Sequence, residues 1–294
     1  MARRMAHSSR CGSLKGLLLA LALLTALPAY ASGQQGAPAE PAVPAPAQPG
    51  AAEPKQGENL PPVTRDCQIG GAEVVTQSPL PNVLKAMRER QKIKILAIGA
   101  APIVRNESGA GGYYDLVEQF LEQTFKGLQV EIVHRGVSGE LARDAGARIK
   151  MEVALVEPDL VLWQVGTADA LARLPIEDFE KSLGKTLVWL KAHDVDVALI
   201  GLHYTKALTK DAHYQAVRKS LKKVATELGV MRVGRYEATE TLARLRGEQG
   251  TPPGRARLTE AGYECTAEYL ARAIATGLFH KDKSSKPADK PADK

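Results

Sequence analysis

Ile93-Lys94-Ile95-Leu96-Ala97-Ile98-Gly99-Ala100-Ala101 is a short apolar run, rich in β-branched residues, that closes on glycine and two alanines. A run of this length with a glycine at its end marks a buried parallel strand. In an open α/β sheet, ligands and chemistry gather beyond the carboxyl ends of the strands. A hydrolase on such a sheet would place a nucleophile there. This chain places two methyl groups there.

The same pattern recurs downstream at residues 130–133, 160–165, 195–200 and 230–233, each run mostly bounded by Gly, Pro or Asp. Between these runs the apolar residues switch to a helical period. Tyr113, Val117, Phe120 and Leu121 share one face, as do Phe179, Leu183, Leu187 and Leu190, and Tyr214, Val217, Leu221, Val224 and Leu228. A last helix is expected to start at Thr259, with Thr259-Glu260 as its cap region, and to run to about Leu278. Alternation of this kind with short loops implies α/β architecture, a parallel sheet covered on both sides.

The flanks have a different character. Arg3, Arg4, Arg10 and Lys15 precede an apolar run over residues 16–27, and Pro28-Ala29-Tyr30-Ala31 offers small residues for cleavage before Ser32. Residues 1–31 therefore have the form of a secretory signal peptide, the alternative being an uncleaved anchor. No other segment is long and apolar enough to span a bilayer, so no membrane span is expected after cleavage. Residues 32–62 are rich in Ala, Pro, Gly and Gln and predict an extended linker. The tail at 281–294 repeats Lys-Pro-Ala-Asp and reads the same way, leaving one domain at 63–280.

The net charge of +6 rests on 39 basic and 33 acidic residues. Four of those basic residues and no acidic ones lie in the leader, so the remainder is nearly balanced and gives no case for nucleic-acid binding. Cys11 leaves with the leader. Cys67 and Cys265 remain, and in a periplasmic or secreted compartment they predict a disulfide, the alternative being two separate thiols.

Four segments follow strands or open the final helix: Gly99-Ala100-Ala101-Pro102, His134-Arg135-Gly136-Val137-Ser138-Gly139-Glu140, Gln164-Val165-Gly166-Thr167-Ala168-Asp169 and Arg257-Leu258-Thr259-Glu260-Ala261-Gly262-Tyr263. In this order and spacing the chain resembles the SGNH/GDSL hydrolase family. The resemblance covers the domain from about Ile93 to Ala275. It implies a flavodoxin-like three-layer α/β/α sandwich with a five-stranded parallel sheet. It also implies ester hydrolysis or acyl transfer. A serine after the first strand attacks, a histidine before the last helix deprotonates it, and an aspartate three residues earlier orients the histidine. A glycine amide and an asparagine side chain help to stabilise the oxyanion.

Carried over position by position, the serine becomes Ala101, the asparagine Ala168, the aspartate Gly254 and the histidine Arg257; only Gly139 is retained. Arginine stays protonated at neutral pH and cannot act as the base. Loss of a nucleophile or base from such a unit costs on the order of 10⁶ in turnover, and loss of an oxyanion donor about 10²–10³. The expectation is a catalytically degenerate member with a binding or assembly role in the cell envelope. Ser138, Gly139, Thr167, Asp169 and Arg257 are its candidate ligand-binding residues. The ligand class implied by family and compartment is a cell-envelope glycan or an acylated small molecule. The alternative is an active ester hydrolase or acyltransferase using relocated residues.

Other candidates carry less. His134 and Ser138, with Asp144 further on, form a conceivable relocated pair, and Ser108 sits in a Gly-rich loop that could reach the site. Gly109-Ala110-Gly111-Gly112 lacks the Lys and Ser/Thr of a phosphate loop, so no cofactor is expected. His203 and His213 lack a third partner at metal-ligand spacing and read as surface histidines. Trp163 and Trp189 read as core residues. Arg257 either binds a carboxylate or phosphate in a bidentate way or forms a structural pair with Asp169.

Overall fold

The structure, a computed structural model, describes residues 64, 67, 74–99, 113–248 and 255–279. The expected leader, linker and tail lie outside the described residues, as do Ala101, Ser108, the glycine-rich segment 109–112 and Gly254.

The described strands are β1 (Val75–Thr76), β2 (Lys92–Ile98), β3 (Gln129–Arg135), β4 (Leu160–Gln164), β5 (Asp196–Ile200) and β6 (Met231–Val233). The helices are α1 (Pro81–Arg90), α2 (Tyr113–Thr124), α3 (Ala142–Val156), α4 (Thr167–Leu171), α5 (Ile176–Ala192), α6 (Ala212–Glu227), α7 (Arg235–Glu248) and α8 (Arg255–Gly277). A short 3₁₀ turn lies at Lys206–Leu208. Sheet order is β1-β6-β5-β4-β2-β3. The five strands β2 to β6 pair in parallel, while β1 adds antiparallel to β6, Val75 opposite Val233. The sheet is thus six-stranded rather than five-stranded. The extra strand is two residues long, too short to leave a periodic signal.

Alternation along the parallel strands sends side chains into two cores. Ile93, Ile95, Ala97, Leu160, Leu162, Ala198 and Ile200 meet α1, α2 and α8 on one face. Leu96, Ile98, Val161, Trp163, Val197 and Leu199 meet α3, α5 and α6 on the other. Both faces being covered explains why the strands read as continuous apolar runs. Trp163 is fully buried, as expected. Trp189 is half-buried instead; it stacks on His193 with ring centroids 3.9 Å apart, at the edge of its core.

Two links tie the layers together, one polar and one covalent. Asp196, at the start of β5, accepts from the backbone N–H groups of Asn82 and Val83 at 2.9 Å each and so caps α1 from a neighbouring strand. Cys67 and Cys265 form a disulfide that joins the start of the described chain to α8. The last helix begins at Arg255, four residues before the expected Thr259. Arg255-Ala256-Arg257-Leu258 are all strong helix formers, so the helix extends back through them and Thr259 does not cap it.

Candidate functional site

The parallel order β3-β2-β4-β5-β6 reverses direction between β2 and β4. Such a switch point opens a crevice beyond the strand ends. Two glycines shape it. Gly99 ends β2 at φ +108°, and a Cβ there would stand 2.3 Å from the backbone oxygen of Gln164 on β4. Gly166, at φ +98°, leads into α4, and a Cβ there would meet Leu202 at 2.8 Å. Neither position accepts a side chain without displacing its neighbour.

A cleft of about 400 Å³ lies over these strand ends. The loop after β3 contributes Ser138, Gly139 and Glu140, and the turn after β4 contributes Thr167 and Ala168. Gln164 closes β4, His203 follows β5, Arg235 opens α7, and Tyr263 comes from α8. The structure therefore brings Ser138, Gly139, Thr167 and Ala168 together, as their order in the chain implies.

Asp169 does not line this cleft. It is 1% exposed, and its Oδ1 accepts from the backbone N–H of Ala142 at 3.0 Å. That bond holds the start of α3, and with it the Gly139 loop, against the turn after β4. Burial raises its carboxyl pKa above the ordinary value. The expected role in ligand contact is replaced by a positioning one, because the short turn after Gly166 folds its carboxylate inward. Arg257 falls within the first turn of α8. Its side chain, and hence its pairing with Asp169, is outside the described residues.

Two cleft residues escaped the sequence expectation. His203 is half-buried rather than on the surface. Its backbone N–H donates to Thr167 Oγ1 at 3.1 Å, its carbonyl accepts from the Tyr214 hydroxyl, and its Nδ1 lies 2.9 Å from Arg235 Nη2. A guanidinium can only donate, so Nδ1 is the acceptor and the neutral ring carries its proton on Nε2. Burial, and secondarily the Arg235 charge, lower the His203 pKa to about 4. His213 is likewise half-buried, at the start of α6, and does not line the cleft.

Arg235 is 4% exposed. Its guanidinium carbon lies 4.8 Å from the centre of the Tyr263 ring, which stacks near Tyr113. Tyr113 donates to Gln164 Oε1 at 3.4 Å, and its hydroxyl pKa is held well above 10 by burial. The carboxylate of Glu140, the acid on the cleft wall, is bound in a two-bond fork by Arg148 at 2.6 and 2.7 Å. His203 and Arg235 were hidden because each is a lone polar residue just past a strand. A signal did exist. Gly201-Leu202-His203 and Gly234-Arg235 end strands that turn out to be neighbours.

A relocated Ser–His pair gains little from this geometry. Ser138 and His134 are both exposed; His134 packs its ring against Tyr114, with centroids 5.2 Å apart. Asp144 is exposed and pairs with Arg143 at 3.2 Å. Among the described residues no cluster of His, Cys, Asp and Glu could hold a metal ion, and no helix is long and apolar enough to cross a membrane.

Comparison with known proteins agrees with this frame. The model of the non-GDSL lipase-like family matches residues 66–279. No curated protein matches. Among solved structures, Axe2, an acetylxylan esterase from Geobacillus stearothermophilus, is similar at 19% identity and TM-score 0.50, covering 62% of this chain and 94% of its own. LAE5, an alpha/beta hydrolase enzyme from the metagenome of Lake Arreo, Spain, is similar at 22% identity and TM-score 0.50, covering 64% of this chain and 97% of its own. At such identities the likeness is one of fold. Catalytic mutants of Axe2 carry alanine in place of an aspartate or a histidine.

Proposed function

The chain belongs to the non-GDSL lipase-like family, and from that premise we propose that it is an exported, non-hydrolytic member whose strand-end cleft binds a ligand in the cell envelope. The observation that carries the proposal is the composition of the cleft. Ala168 stands on its wall where the resemblance assigns an oxyanion-stabilising amide, and in the sequence the same resemblance puts Ala101, Gly254 and Arg257 at the nucleophile, aspartate and base positions. The histidine that does line the cleft has its Nδ1 lone pair engaged by Arg235, which withholds it from base catalysis. The frame is kept while the family's proton-moving positions carry residues that cannot serve that role. Export is supported by the form of residues 1–31 and by the Cys67–Cys265 disulfide, since such bonds persist in oxidising compartments. A glycan or acylated ligand of the envelope is the class that family and compartment favour.

The rival reading is an ester hydrolase or acyltransferase with a relocated nucleophile, for which Ser138 on the cleft wall is the supporting observation. Hydrolysis of short-chain p-nitrophenyl esters by the purified mature protein separates the two. The expected rate is that of the buffer. The quadruple variant Ala101→Ser, Ala168→Asn, Gly254→Asp, Arg257→His is expected to gain turnover. Wild-type turnover that is lost in Ser138→Ala would instead establish the hydrolase.

A further inference from the structure

Two of the described arginines are almost wholly buried, and they are treated differently. Arg232, 1% exposed, has the Glu237 carboxylate 3.4 Å away. Arg235, three residues on and 4% exposed, has no carboxylate partner among the described residues. Its side chain makes one hydrogen bond there, to a neutral imidazole, and otherwise stacks on Tyr263. A buried cation without a counter-ion bears a desolvation penalty that no partner repays. A guanidinium has five N–H donors in a fixed fork, and one bond leaves most of that capacity unspent. The charge lies on the wall of the 400 Å³ cleft. It also sits at the first residue of α7, a helix of 14 residues, where the backbone dipole favours an anion.

The neighbours strengthen the case. Because Arg235 fixes Nδ1 of His203 as acceptor, the ring's remaining nitrogen is a donor. Glu140, the acid that lines the same cleft, is held by Arg148. The cleft therefore combines a buried, uncompensated cation with a second donor, under walls that offer the neutral groups of Ser138, Thr167 and Gln164.

We propose that Arg235 and His203 form a binding site for the oxyanion group, carboxylate or phosphate, of a small ligand held in this cleft. The proposal rests on the binding reading of the cleft and narrows its ligand to acidic ones. An acidic saccharide or a phosphorylated small molecule fits; a neutral glycan does not.

Titration calorimetry with glucuronate, inorganic phosphate and glucose tests it. Glucuronate or phosphate is expected to bind the wild type, and which of them binds identifies the anion; glucose is not. Arg235→Gln should weaken the bound anion at least about tenfold, the scale of a lost charge-assisted hydrogen bond. Arg173→Gln, at an exposed ion pair with Asp211, should leave it unchanged. Should Arg235→Gln fail to fold, the wild type still decides: the Arg235 Nε–H resonance should shift with the bound anion and stay fixed with glucose. Absence of anion binding, equal binding of glucose, equal affinity in Arg235→Gln or a fixed resonance would each overturn the proposal. Ester hydrolysis by the wild type beside Arg235-dependent anion binding would refute the non-hydrolytic reading and leave this site standing.

Discussion

Removing the disulfide is the perturbation whose size follows most directly from the structure. Cys67 and Cys265 are separated by 198 residues, so their bond closes nearly the whole domain into one loop. Chain-entropy reasoning for a loop of about 200 residues gives about 5 kcal/mol, and measured bridges deliver roughly 2–5 kcal/mol. Against a total stability of about 5–15 kcal/mol, that is a large share. Both residues are buried, and the Tyr269 hydroxyl donates to the Cys67 carbonyl at 2.6 Å. The assay is urea unfolding of Cys67→Ala, Cys265→Ala beside the wild type, oxidised and reduced. With a slope of about 2 kcal/mol/M, a loss of about 4 kcal/mol moves the midpoint down by about 2 M. Reduced wild type should move by a similar amount, and reductant should not affect the double variant. A midpoint shift under about 0.3 M, or two titratable thiols in the denatured, unreduced wild type, would refute the reasoning.

Two further outcomes follow from the cleft. Gly99→Ala places a Cβ 2.3 Å from the Gln164 carbonyl at a φ of +108°. It should cost at least about 2 kcal/mol in urea unfolding, through strain and displacement of the β4 end. His203 should stay neutral down to about pH 4 when its ring is followed by NMR. Between pH 6.5 and that value the unfolded chain takes up a proton that the folded one refuses, so this residue's contribution to stability falls as pH falls, by on the order of 1–2 kcal/mol for a partly solvated ring. Asp196, its pKa raised to about 6 by burial, works in the opposite direction over nearly the same range. The ring's own titration is therefore the readout, not overall stability, and a ring that titrates near 6.5 would contradict the Arg235–His203 geometry.

The parts of this protein visible in its sequence are those carried by periodicity. Strands buried on both faces and helices with one apolar stripe leave continuous signals, and all five parallel strands fall within a residue or two of their expected places. The loop residues Ser138, Gly139, Thr167 and Ala168 could be grouped because the parallel sheet dictates that their strands end on one side. Arg235 and His203 share that strand-end position, but their contact could not be read. Their meeting depends on β5 lying beside β6, and on the burial of a charge, which no local pattern records. Asp169 was misjudged for the same reason: its proximity to the site in sequence is plain, but the inward turn that gives its carboxylate to Ala142 is a tertiary matter. β1 exists only through its pairing with β6.

The central claim is that the cleft keeps the frame of a family of hydrolases without a working nucleophile. Intact-mass measurement after incubation with a serine-reactive fluorophosphonate tests it most directly, because an activated serine anywhere in the chain would be labelled. The expected result is an unmodified mass for the wild type. A stoichiometric adduct on a single serine, at Ser138, Ser108 or elsewhere, would contradict the account.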